Sequence, residues 1–196
     1  MKQSFLDKRL NNVGARAEVI EVAVIAAVLL VACLVLPIAL YGKNLPFENQ
    51  LFIGPVVNCA LVLAAMNFRG AAKNVGVICA PSVLAVGVGL IGFMGIYAMY
   101  MIPVLWLGNA VLVLGFKFFH VHRKVNFAAV AAAIIVSKAM LIFGGFGILV
   151  AVGLIPAAPA QAMLLNMSLY QLFTATVGCA LAFAAVKTFY RKERVL

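Results

Sequence analysis

Between Asn74 and Phe116 the chain runs for 43 residues without a charged side chain. Coiled at about 1.5 Å per residue, that stretch is about 65 Å of helix, twice the roughly 30 Å hydrocarbon thickness of a bilayer, so it has to turn back once. The turn is expected within Gly92 to Met101. Three further runs behave alike: Val22 to Gly42, Asn49 to Phe68 between Glu48 and Arg69, and Val125 to Val186, whose only charge is Lys138 and which Pro156 and Pro159 interrupt midway. With 66% hydrophobic and 10% charged residues and a mean hydropathy of +1.16, a water-soluble domain of 196 residues is excluded, because it could not cover so much apolar surface. The runs predict an all-α integral membrane protein: six transmembrane helices in one bundle, at about 20–41, 50–68, 75–95, 100–119, 127–154 and 163–188.

Thirteen of the 15 Lys and Arg residues fall on one side of these spans: Lys2, Lys8, Arg9 and Arg16; Arg69 and Lys73; Lys117, Arg123 and Lys124; Lys187, Arg191, Lys192 and Arg194. The other side holds Lys43 alone. Cytoplasmic loops carry the excess of basic residues, so both termini are expected in the cytoplasm, as an even number of spans requires. The single domain 1–196 then has a cytoplasmic basic flank at 1–18, an external loop at 42–49, a cytoplasmic basic loop at 120–126 and a cytoplasmic tail at 189–196. Leu6, Leu10, Val13 and Ala17 recur at helical spacing in the flank, which reads equally as a short interfacial helix or as a plain basic leader to a retained first span. The net charge of +10 would suggest nucleic acid in a soluble chain, but here it sits where anionic headgroups lie, so nucleic acid is not expected as a partner.

Catalytic constellations are missing. The five acids are Asp7, Glu18, Glu21, Glu48 and Glu193, too few and too peripheral for a carboxylate pair or a carboxylate metal cage in a dry core. Cys33, Cys59, Cys79 and Cys179 are widely spaced and resemble neither a zinc nor an iron–sulfur set. His120 and His122 form a His-x-His that would need further ligands, so no metal or cofactor is expected. No phosphate loop, nucleophile elbow or acid-paired His is present, and the chain is not expected to be an enzyme.

Polar groups at membrane depth are the informative residues. Lys138 lies about eleven residues, or about 16 Å, inside its span, where a cation is costly unless it faces a polar interior. No acid in the spans can pair with it, which favours a ligand over a purely structural strut. Asn58, Asn109, Asn166 and Gln171 lie at middle to outer depth on other spans and are expected to face inward, as cross-helix links or as pocket lining. Trp106, Tyr97, Tyr100 and Tyr170 fall near the same level and either stack on a flat ligand or anchor at the interface. Pro55, Pro81 and Pro103 predict kinks whose freed backbone groups could serve a ligand. The segment Tyr41 to Gln50 reads as a lid or as an ordinary loop. A cation beside amides and aromatics suits a carboxylate-bearing or flat heterocyclic solute.

Taken together, Ala23-x-x-x-Ala27, Gly54-Pro55-Val56-Val57-Asn58, Met101-Ile102-Pro103, Gly108-Asn109-Ala110, Lys138 and Gln171-Leu172-Phe173-Thr174-Ala175 resemble the substrate-binding S component of energy-coupling-factor (ECF) transporters, in a subgroup of unknown substrate. The resemblance extends over most of residues 20–188. It implies a bacterial cytoplasmic (inner) membrane protein that captures a vitamin-like or other small micronutrient in an outward-facing intramembrane pocket. Lys138, Asn109, Asn58, Gln171, Trp106 and Asn166 would be the substrate-binding candidates. Ala23 and Ala27 would dock on a transmembrane coupling subunit driven by two cytoplasmic ATPases, and the bundle would topple to deliver its cargo. The competing reading is a structural or assembly subunit of a larger membrane complex, with Lys138 meeting another protein's acid. A proton-linked carrier is disfavoured, because no carboxylate lies within the spans.

Overall fold

The computed structural model describes residues 27, 31, 50–68, 70–87 and 96–189. The basic flank, most of the predicted first span including Ala23, the 42–49 loop and the end of the tail lie outside these residues, as do residues 92–95 of the turn expected within Gly92 to Met101, whose last five residues are helical. Ala27 is helical and exposed.

Every described element is a helix. The sequence forms α1 (Gln50–Asn67), α2 (Ala71–Gly87), α3 (Tyr97–Gly115), which continues without a break into a π-helical turn (Phe116–His122), α4 (Phe127–Ala151), α5 (Ala157–Met167) and α6 (Leu169–Phe189). Three stretches are long and apolar enough to cross a membrane: Tyr97–His122, Phe127–Ala151 and Ala157–Thr188; Leu51–Asn67 and Ala71–Val86 are shorter apolar helices.

The predicted spans differ from these helices at their ends. The fourth, expected to stop at 119, runs to His122, because Lys117 and His122 tie the π turn together: Lys117 Nζ donates to Phe68 O at 2.6 Å, and His122 Nδ1 meets Lys117 O at 2.9 Å. The first three residues of the expected 120–126 loop are therefore helical. The chain then reverses through Lys124 at φ +56, and Asn126 caps α4 by accepting from Ala128 N at 2.8 Å. The sixth span is two helices. Gly153, at φ +78, turns the chain out of α4, and α5 begins just after Pro156, with Pro159 in its first turn, where a missing N–H costs nothing. Ser168, at φ −120 and ψ −95, separates α5 from α6.

The helices bury a few polar groups within an apolar interior and leave large apolar side chains on the outside as well, unlike a water-soluble bundle. On α4 the buried stripe is Val130, Ala131, Ile134, Ile135, Lys138, Ile142 and Phe146, stepping by about one turn, while Val136, Met140, Phe143 and Ile148 are exposed. Exposed Phe52, Val83, Leu107, Leu114, Phe173 and Leu181 extend the apolar exterior over the other helices. Such a surface with three helices of spanning length describes a membrane-embedded protein.

Two apolar layers fill the interior. Leu61, Val62, Leu112, Val113, Phe116, Ile134 and Ala182 pack toward the Phe127 end of α4, and Met101, Ile142, Phe146, Ile155, Met163 and Met167 toward the other. α1 packs most extensively on α6, and α3 on α4. The first contact is a backbone approach at Gly178: a Cβ there would lie 2.5 Å from Asn58 Cβ and 2.8 Å from Pro55 O, so only glycine fits. In the second, Gly108 accepts the end of Ile142, whose Cδ1 would stand 2.6 Å from an added Cβ.

Candidate functional site

Between those two layers, each of four helices contributes a polar residue at the same level. Lys138 is one turn from Ile134 and one from Ile142, so it lies on the inward stripe of α4 with only 3% of its surface exposed. Its Nζ donates to Asn58 Oδ1 at 2.5 Å and to Asn109 Oδ1 at 3.1 Å. The amide nitrogens are spoken for as well. Asn58 Nδ2 donates to Gly54 O at 2.9 Å and to Thr174 Oγ1 at 3.3 Å, and Asn109 Nδ2 donates to Ile78 O at 3.1 Å. With both nitrogens tied to fixed acceptors, both oxygens are turned toward the amine. The arrangement links α1, α3, α4 and α6 through one cation.

Ile78, the backbone acceptor of Asn109, lies in the turn of α2 before Pro81, whose missing N–H leaves the neighbouring Val77 O without its helical partner. Cys79 O in the same turn accepts from Trp106 Nε1 at 3.2 Å.

Asn58, Asn109, Lys138 and Gln171 line one cavity of about 100 Å³, together with Ser82, Tyr170 and Thr174 and apolar side chains such as Ile53, Val57 and Leu105. None of the described residues is acidic. The polar wall thus offers one ammonium, hydroxyls and amides, against a largely hydrocarbon remainder, a composition suited to holding a small polar solute.

The other sequence candidates lie elsewhere. Trp106 is half-buried on the α2 side of α3, packed beside the apolar layer, and does not line the cavity. Asn166, on α5 ahead of the Ser168 break, is fully buried outside the cavity wall, with neither Nδ2 nor Oδ1 hydrogen-bonded among the described residues. Tyr97 and Tyr100 pair with each other at 6.5 Å between ring centroids, and Tyr170 alone of the tyrosines singled out reaches the cavity wall. His120 and His122 are each held through Nδ1 to a backbone carbonyl, Val125 O and Lys117 O, at opposite ends of a short basic turn. Because a carbonyl can only accept, Nδ1 carries the proton in both rings.

Sequence reasoning passed over Thr174 and Ser82 as wall residues. Thr174 had a signal, being three residues after Gln171 and therefore on the same helix face. Ser82 had only its place next to Pro81. Compared with known protein families, characterised proteins and solved structures, the chain matches none of them.

Proposed function

We propose that this chain is the substrate-binding subunit of an ECF-type ABC importer, capturing a small micronutrient from outside the cell. In this reading it is a six-span protein of the bacterial inner membrane with both termini in the cytoplasm. The two shorter apolar helices α1 and α2 each cross the bilayer, and at 18 and 17 residues they fall within the range of about 17–25 that a spanning helix needs. The supporting observation is the buried amine of Lys138, held by two amide oxygens at the wall of a cavity within the bundle and without a carboxylate among the described residues. A cation so placed is costly as a strut and useful as a ligand-binding group.

Energy for uptake would come from partners, a transmembrane coupling subunit and two cytoplasmic ATPases, with Ala23 and Ala27 as the contact. The chain itself would bind and release. Mass spectrometry of the organic extract of protein purified from its native membrane is expected to show a stoichiometric small molecule, and Lys138→Ala to lose it. An empty extract, or wild-type retention by Lys138→Ala, would overturn the reading and favour an assembly subunit. Replacing Ala23 and Ala27 by Leu is expected to abolish co-purification of the ATPase partners.

A further inference from the structure

The hydrogen bonds around Lys138 leave a specific set of groups unpaired. An ammonium has three N–H donors, and two of them are used by Asn58 Oδ1 and Asn109 Oδ1. The third has no acceptor among the described residues, and Lys138 lines the cavity. Two further side chains on the same wall have no hydrogen bond among the described residues: Ser82, 5% exposed, and Gln171, 9% exposed.

The state of Ser82 follows from its neighbours. Of the other described Ser and Thr residues, Thr174 donates to Gln171 O three back at 3.4 Å, and Ser137, Thr176 and Thr188 in the helices and Ser168 at the joint donate to the carbonyl four residues back, at 2.6–2.8 Å. For Ser82 that carbonyl is Ile78 O, which Asn109 Nδ2 occupies at 3.1 Å. The amide that orients Lys138 thereby frees the hydroxyl opposite it. Unpaired buried polar groups are costly, so three around one hollow describe a recess shaped for something that bonds to all of them.

We infer that the cavity takes a compact monocarboxylate, its two oxygens shared among Lys138 Nζ, Ser82 Oγ and Gln171 Nε2 and its short apolar body lying against Val57 and Leu105. This rests on the uptake reading and names its substrate class. One cation and two neutral donors balance a single negative charge. A phosphate monoester carries about −1.5 to −2 and would leave charge uncompensated beside a single cation. A neutral amide could pair with Ser82 and Gln171 but would leave the ammonium without an opposite charge. Size limits the body: about 100 Å³ is less than the roughly 150 Å³ apolar cavity known to admit benzene.

The test uses the full-length chain in lipid nanodiscs, titrated with butyrate, butyramide and propyl phosphate, with Trp106 fluorescence and calorimetry as readouts. Saturable butyrate binding at least tenfold tighter than that of either isostere is expected. Gln171→Leu and Ser82→Ala should each weaken it about three- to tenfold, and Lys138→Met abolish it. Should Lys138→Met fail to fold, the two milder variants decide. Equal binding of butyramide, tighter binding of propyl phosphate, or butyrate binding indifferent to Gln171→Leu and Ser82→Ala would each overturn the carboxylate assignment. A neutral or cationic compound extracted from the purified protein would also overturn it while sustaining uptake. No butyrate binding together with an empty extract would overturn both.

Discussion

Asn58 does more than hold the amine. Its side chain touches Gly54 O, Thr174 Oγ1 and Lys138 Nζ, so it connects three helices from one position. Asn58→Leu, which keeps the branched shape in a somewhat larger side chain and removes the acceptor, leaves a buried charge short of a partner. A loss of about 1–3 kcal/mol is expected, read as a lower thermal midpoint in detergent. Residues of this kind were legible before any coordinates, because an amide or ammonium in an apolar run is costly and must find company. Trp106 and Asn166 were harder to place because depth along a helix does not fix direction around it. Asn166 is five residues from Gln171, about 140° away around an ideal helix, and the break at Ser168 separates them further. Ser82 was invisible for another reason: a helical serine ordinarily satisfies itself, and only the side chain of Asn109 on a different helix prevents it.

At the level of the helices, close approach between α1 and α6 fixes the geometry of the polar level. Gly178→Ala would place a methyl carbon against Asn58 Cβ and the α1 backbone, with no flexible neighbour to yield. Overpacking of this kind costs about 1–3 kcal/mol, and solute affinity should fall with it because Asn58 moves. Gly76→Ala is the matched control. Nothing lies within 4 Å of the added carbon, and the change should raise the melting temperature slightly through helix propensity. The helices themselves were evident from hydropathy. Their ends were not, because π-turn bonding at Lys117 and His122, and the joint at Ser168, depend on hydrogen bonds and torsions that hydropathy does not record.

For the molecule as a whole, the distribution of Lys and Arg predicts the orientation. Single cysteines placed at Lys43 and at Lys124, in a background without the four native cysteines, should react with an impermeant maleimide from opposite faces of intact cells: Lys43 from outside, and Lys124 only after permeabilisation. Labelling of both from outside would reverse or break the six-span arrangement. The charge-free runs predict six spans, of which three helices of spanning length and two shorter apolar ones stand among the described residues, whereas the amount of open space inside the bundle depends on which side chains meet there.

The apolar layer between Lys138 and the Phe127 end has a mechanical meaning. Leu61, Val62, Leu112, Val113, Phe116 and Ala182 leave no exposed surface, so below the cavity lies a sealed floor. Under the proposed uptake function, cargo resting on it could not percolate through these residues to the far side by a series of small steps. It would leave by the mouth through which it entered, or the entire vessel would have to be tipped. Liposomes holding this chain by itself should accordingly be as watertight to ions and to the cargo as empty ones, and a measurable leak would mean the floor has a drain.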